Sequence, residues 1–166
     1  MTRSRESIWI QILLGIVVGG IAGFMAWFIS ESKWVSPRSG RYLNLIGEMN
    51  LRHVDIIFIS LCAGIGEELL FRGAIQPFLG IWITAVVFVL IHGYINPKDW
   101  RISIYGVSMT VIIAVLGFMC DRIGIWSAAI AHAMIDYVLL QLMVKKWSIR
   151  KSELLNLSIK DIEEEE

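Results

Sequence analysis

Three short patterns place ionisable side chains inside segments that are otherwise apolar. They are Glu67-Glu68 followed by Arg72, Phe88 followed by His92, and His132 followed by Asp136. An acidic or basic residue at the centre of a membrane helix costs about 2.5 to 3.5 kcal/mol, and each Leu, Ile, Phe or Val returns about 0.3 to 0.6. Glu67, Glu68 and Arg72 together therefore cost roughly 9 kcal/mol, against roughly 6 returned by about a dozen apolar neighbours. A helix over Val54–Leu79 is thus unfavourable facing lipid alone. Its polar side must turn toward other helices or a water-filled cavity, and ionisable groups in that position are candidates for function.

Helical spacing divides the work. Glu68 and Arg72 are four apart and can pair on one face, while Glu67 points about 100° away. His132 and Asp136 share a face in the same way, as do Phe88 and His92. Glu68 with Arg72 therefore reads as structural, and Glu67 with the histidines as chemical. A carboxylate in a dry pocket makes a good general base near neutral pH, and an imidazole beside it can share the proton or ligate a metal. Helix-borne donors could stabilise a tetrahedral oxyanion. The reaction class this set favours is hydrolysis of an amide by activated water. Ser60, Cys62 and Ser127 sit in no nucleophile motif.

The elements that must position these groups follow from composition. The chain has 166 residues, 56% hydrophobic, with seven Trp and a formal net charge of zero. That is membrane-protein composition, and it offers nothing to a nucleic acid. Ile8–Ser30 is a charge-free run long enough to cross a bilayer and too long for a signal-peptide core, so it reads as a retained anchor. Gly15, Gly19 and Gly23 give it a face that another helix can approach closely. Pro37 and Gly40 mark turns, and Tyr42, Leu45, Ile46 and Met49 keep helical spacing, which predicts a short interfacial helix. The apolar runs Val54–Leu79, Ile81–Ile95, Ile102–Cys120 and Gly124–Val144 follow, with breaks at Pro77 and Gly80, Asn96-Pro97 and Asp121-Arg122. Gly106 and Gly117 read as packing positions, and Cys62 and Cys120 as buried thiols.

The predicted fold is an all-α polytopic membrane helix bundle of about five spans, with the interfacial helix before the span that carries the carboxylates. We read one membrane domain over 1–166: an anchor span at 8–30, a catalytic core of four spans over 54–144, and a polar tail at 145–166. Lys145–Lys151 is a basic juxtamembrane anchor, and the acidic tail beyond it reads as solvated and partly disordered. Five spans place ten Lys and Arg, from Lys33 to Lys151, on one side, against Arg3, Arg5 and Arg122 on the other. The positive-inside rule then sets the C-terminus in the cytoplasm and the N-terminus outside. Counted from one membrane face, Glu67, His92 and Asp136 each lie about a dozen residues deep. That is roughly 15 to 18 Å and near mid-bilayer, with His132 one turn nearer that face.

At these residues the chain resembles the CPBP family of intramembrane proteases, which holds the CAAX prenyl endopeptidases and bacteriocin-processing or self-immunity proteins. The EExxxR motif is matched by Glu67-Glu68 and Arg72, FxxxH by Phe88 and His92, and HxxxN or HxxxD by His132 and Asp136. The likeness covers roughly 55–140. It implies an integral, multi-pass protease of a bacterial or archaeal plasma membrane, cutting a peptide or protein substrate near its C-terminus or at a leader junction, prenylated or not. Glu67 and His92 would activate the water, His132 with Asp136 would hold the oxyanion or orient the site, and Glu68, Arg72 and Phe88 would support them. If Asp136 stands where relatives carry Asn, an ionised Asp repels an oxyanion, so it must be protonated, orient His132 or ligate a metal. The family is often described as metalloproteases, and Glu67, His92 and His132 would be an acceptable set for Zn²⁺ or another divalent metal. A Glu-His water site without metal fits the same residues, and both stand at this point. Two further functions use such a pocket: a noncatalytic immunity or scaffolding protein holding a peptide partner, and a proton-coupled carrier. The carrier lacks support, because the chain shows no repeat symmetry.

Overall fold

The computed structural model describes residues 6–96, 98 and 100–165, and its regular structure is helical throughout. Arg3, Arg5 and Pro97, which the sequence reading used for topology and for a break, lie outside the described residues. The order is α1 (Ile8–Ser30), α2 (Ser36–Glu48), α3 (His53–Glu68), a π-helical stretch (Leu69–Ile75), α4 (Gln76–Ile91), α5 (Trp100–Arg122) and α6 (Ile125–Glu165). Among the described residues, four stretches are long and apolar enough to cross a membrane: Ile8–Ser30, His53–Ile91, Trp100–Arg122 and Ile125–Lys160. Apolar side chains such as Leu13, Phe24, Phe58 and Val107 point outward from them. On helices this apolar, hydrocarbon is the solvent such a surface suits.

The stretch His53–Ile91 is not one rod. Gly80 has φ 74° and ψ 171°, a left-handed conformation that an L side chain resists. A straight helix would hold residues 67 and 92 about 37 Å apart. Their side chains are instead 3.5 Å apart, so the chain doubles back at Gly80 into two antiparallel arms. Pro77, expected at the break, sits within the first turn of α4, where its missing N–H costs little. Among the described residues the bundle therefore has four long apolar stretches, the second folded into two arms, and the short helix expected before the carboxylates is α2.

The returning arm is shorter than expected. It was predicted to run to Ile95, but helix ends at Ile91, where Gly93 turns the chain at φ 72° and its N–H bonds to Leu90 O at 3.0 Å. From Ile81 that is about 16 Å of helix, half a bilayer. The unwound segment lies against α5, where a Cβ on Gly106 would come within 2.3 Å of Tyr94 O. Irregular backbone at this depth is tolerated only where protein covers it or a cavity adjoins it, and here both hold.

α1 lies along α6 through its glycine face. A Cβ on Gly19 would sit 2.3 Å from Ala131 O, and one on Gly23 would sit 2.9 Å from Val138 Cβ. Glu6 N bonds to Ile123 O at one end of this pair, and Lys146 reaches Glu31 at the other. α2 turns Leu43 inward and leaves Leu45 and Met49 outward. α3 is opened by Asp55, which accepts from Arg52 N at 3.0 Å and takes its guanidinium in a two-point fork, raising the Arg52 pKa. The core at the heart of the bundle includes Phe71, Phe88, Val89, Ile113, Leu116 and Ile135.

Two expectations are corrected. The tail read as partly disordered continues α6 without a break to Glu165, because no Gly or Pro between Ile125 and Glu165 stops it. Cys62, read as buried, is exposed: it shares with Phe58, one turn earlier, the outward face of α3. Cys120 is buried as expected.

Candidate active site

α3 ends on Glu67 and Glu68, and the chain passes at once into the π-helical stretch that carries Arg72. Such widened turns are rare and recur at functional sites. Glu68 and Arg72 are fully enclosed, and Arg72 Nε donates to Glu68 Oε2 at 2.8 Å. A buried guanidinium needs its other donors satisfied as well. Nη1 meets Gln76 Oε1 at 3.0 Å, and Nη2 meets the Ile113 carbonyl of α5 at 2.9 Å. The last of these bonds ties the first arm of the hairpin to α5.

Glu68 does more than pair with Arg72. Its Oε1 accepts from His132 Nδ1 at 3.0 Å. Glu68 thus supports His132 as well as Arg72, and of the three roles open to Asp136, orienting His132 falls to Glu68 instead. Spacing within one helix revealed the pairing with Arg72, but the approach of α6 to α3 belongs to tertiary packing. Gly64 permits that approach, since a Cβ there would lie 2.6 Å from Ala133 N. With Nδ1 donating to Glu68, the Nε2 of a neutral His132 keeps its lone pair for the site.

His92 is held by a different device to the same end. Its Nδ1 lies 2.7 Å from Phe88 O, and a carbonyl only accepts, so Nδ1 carries the proton and Nε2 faces the site. The ring stacks on Phe88 at 4.2 Å and 16°, with Tyr94 stacked at 5.8 Å. Phe88 also meets His132 edge-on at 5.6 Å, so one aromatic ring orients both imidazoles.

Glu67 is where these devices converge. Its Oε2 lies 3.5 Å from His92 Nε2 and 3.8 Å from His132 Nε2, and it is buried without a hydrogen-bond partner. These separations are long for direct bonds, yet one water can touch all three groups. Asp136 Oδ2 stands 3.8 Å from His132 Nε2, beyond hydrogen-bonding distance, so Asp136 does not fix that ring. It lies instead at the inner end of a cavity of about 340 Å³ walled by Trp27, Tyr42, Tyr94 and Tyr105, with Glu31 and Lys146 farther along. Among the described residues, no set of three or more His, Cys, Asp or Glu side chains is arranged to hold a metal ion. The chemistry derived below runs through water, and a divalent ion held by Glu67, His92 and His132 is the alternative that a chelator tests.

His53 and Tyr137 meet edge-on at 5.8 Å near the start of α3, away from this cluster. Gln76 was missed, although 68, 72 and 76 form a four-residue ladder that helical spacing could have revealed. Its partner Asp121, 2.9 Å from Gln76 Nε2, sits in the last turn of α5, which runs through the break expected at Asp121-Arg122 and lies on a different helix from Gln76.

The Type II CAAX prenyl endopeptidase Rce1-like family profile matches residues 50–138. The chain is also 29% identical over 138 residues to Uncharacterized protein YpbD of Bacillus subtilis (strain 168), a match spanning 82% of this chain and 68% of that protein. No solved structure matches it. The family match takes in the glutamate pair, both motif histidines and Asp136 on an all-helical membrane bundle, and this integral membrane protein belongs to the type II CAAX prenyl endopeptidase Rce1-like family, the CAAX-type intramembrane proteases.

Proposed function

We propose that this protein is an endopeptidase that hydrolyses a peptide bond within the membrane by water activated at Glu67, without a covalent intermediate. The observation that carries the reading is the unpartnered Glu67 Oε2, facing two imidazole nitrogens whose opposite ring positions are already engaged. A water in this gap donates one hydrogen to Glu67 and the other to an Nε2 lone pair, which leaves its oxygen free to attack a carbonyl carbon. Glu67 takes the proton as the tetrahedral oxyanion forms and delivers it to the departing amine nitrogen. The oxyanion needs a donor, and Asp136 supplies one in its acid form. The fixed Nδ1 bonds keep both rings oriented throughout, which lowers the cost of reorganisation.

The cavity beside Asp136 is the natural seat for the apolar part of a peptide substrate, of either the CAAX or the leader-bearing kind. We further propose that its mouth, toward Glu31 and Lys146, faces the cytoplasm together with the C-terminus. Labelling of a cysteine placed at Ser152 by an impermeant reagent in intact cells would contradict that orientation. The test of function is purified Glu67→Gln assayed against candidate C-terminal and leader peptides. We expect folding to be kept and hydrolysis to fall by at least about 10³-fold, a loss typical of removing a central catalytic group. Undiminished hydrolysis removes Glu67 as the base, and full biological effect without hydrolysis favours the noncatalytic binding reading.

A further inference from the structure

From the enclosed Glu68–Arg72 pair a chain of hydrogen bonds leads away from the water site toward the opposite end of the bundle. Gln76, only 5% exposed, stands with its amide in one orientation. Its Oε1 accepts from Arg72 Nη1 at 3.0 Å, while its Nε2 donates to Gly117 O at 3.2 Å and to Asp121 Oδ1 at 2.9 Å. Every partner on the Nε2 side is an acceptor, and the partner on the Oε1 side is a donor that cannot lose its charge, so the amide cannot turn over. The glycine at 117 makes room for it, since a Cβ there would stand 2.8 Å from Gln76 Oε1.

Arg72 also holds Ile113 O, so α5 is gripped at 113 and again at 117 and 121. These positions are successive turns spanning about 12 Å. The order from the surface inward is Asp121, Gln76, Arg72, Glu68, His132, and each member sets the next. Asp121 is exposed, beside a second hollow walled by Pro77, Gly80, Trp82 and Phe118.

We propose that Gln76 and Asp121 are positioning residues for the water site, acting through Arg72 and Glu68 to hold His132 with its proton on Nδ1. The inference rests on the hydrolytic reading only for its kinetic consequence; the state of the His132 ring is a property of the folded chain. If Gln76 becomes an acceptor on both sides, its carboxylate competes with Glu68 for Arg72 and repels Asp121, and Glu68 loosens its hold on the imidazole.

The experiment compares Gln76→Glu, nearly identical in shape to the native residue, with Asp121→Asn and Asp121→Leu in the purified full chain. The readouts are kcat and KM on a cleaved peptide and ¹⁵N NMR of histidine-labelled protein, with His132 assigned by its loss in His132→Gln. Gln76→Glu is expected to lower kcat about 10- to 100-fold, the range for partners that orient an active group. KM should stay within about twofold, and the His132 spectrum should move away from the Nδ1-protonated form. Asp121→Asn keeps the acceptor and should match the native protein in both readouts, whereas Asp121→Leu should follow Gln76→Glu more weakly. A Gln76→Glu protein with native kcat and a native His132 spectrum overturns the proposal. If that variant does not fold, the two substitutions at exposed Asp121 decide it, and equal behaviour of Asn and Leu overturns it. A native protein that cleaves no peptide would refute the hydrolytic reading while leaving the spectral test intact.

Discussion

Two adjacent glutamates should respond to the same substitution in opposite ways. Glu68 is fully enclosed and carries two bonds, from Arg72 Nε at 2.8 Å and from His132 Nδ1 at 3.0 Å. In Glu68→Gln one of these donors must face an amide NH₂, and Arg72 keeps its charge with no carboxylate beside it. Breaking a buried ion pair from one side costs about 3 to 5 kcal/mol. For a chain of this length roughly 2 to 4 °C of Tm accompanies each kcal/mol, so a fall of about 10 °C is expected. Glu67 makes no hydrogen bond through Oε2, and its side chain is 33% exposed. Glu67→Gln should therefore shift stability by less than about 1 kcal/mol while abolishing hydrolysis. The assay is thermal unfolding of both variants in one detergent, with peptide cleavage measured on the same preparations. Equal destabilisation by the two substitutions, or a Glu68→Gln protein as stable as the native one, would refute the division of labour between them.

Other outcomes follow from the same geometry. Gly19→Ala should destabilise the α1–α6 pair by about 1 to 3 kcal/mol through overpacking, whereas Gly20→Ala, whose Cβ meets nothing within 4 Å, should be close to neutral in the same unfolding measurement. Asp136→Asn offers an N–H donor whatever the pH and should keep kcat within about threefold of native, while Asp136→Leu should lower it at least about 10-fold. A drop with Asn as large as with Leu would show that the carboxyl group itself is required. Hydrolysis should survive dialysis against a chelator; a loss restored by added Zn²⁺ would instead assign an ion to Glu67, His92 and His132.

Much of this protein was legible in its sequence because the bilayer simplifies the code. Charge-free runs about as long as the membrane is thick can only be spans or buried arms, and the four-residue glycine spacing of α1 left one face for close approach. Counting residues from one membrane face put Glu67, His92 and Asp136 at a common depth, since rise per residue is constant in a helix. Local chemistry failed where the outcome depended on what the chain met. Gly93 stops α4 early at a positive φ, a signal within 81–95 that the unbroken apolar run masked, and Gly106 of α5 leaves room for the unwound segment. The tail beyond Lys151 looked too polar to hold order, yet without a breaker it prolongs a helix already nucleated in the bundle.

The sequence by itself determined the helical class, the membrane setting and the Glu68–Arg72 pair, since all of these follow from composition and spacing along one helix. Only the tertiary structure decided which carboxylate meets which imidazole. Glu68 rather than Asp136 holds His132, because the contact lies between α3 and α6, and rotation of one helix about its axis relative to another is set by packing that no single segment encodes.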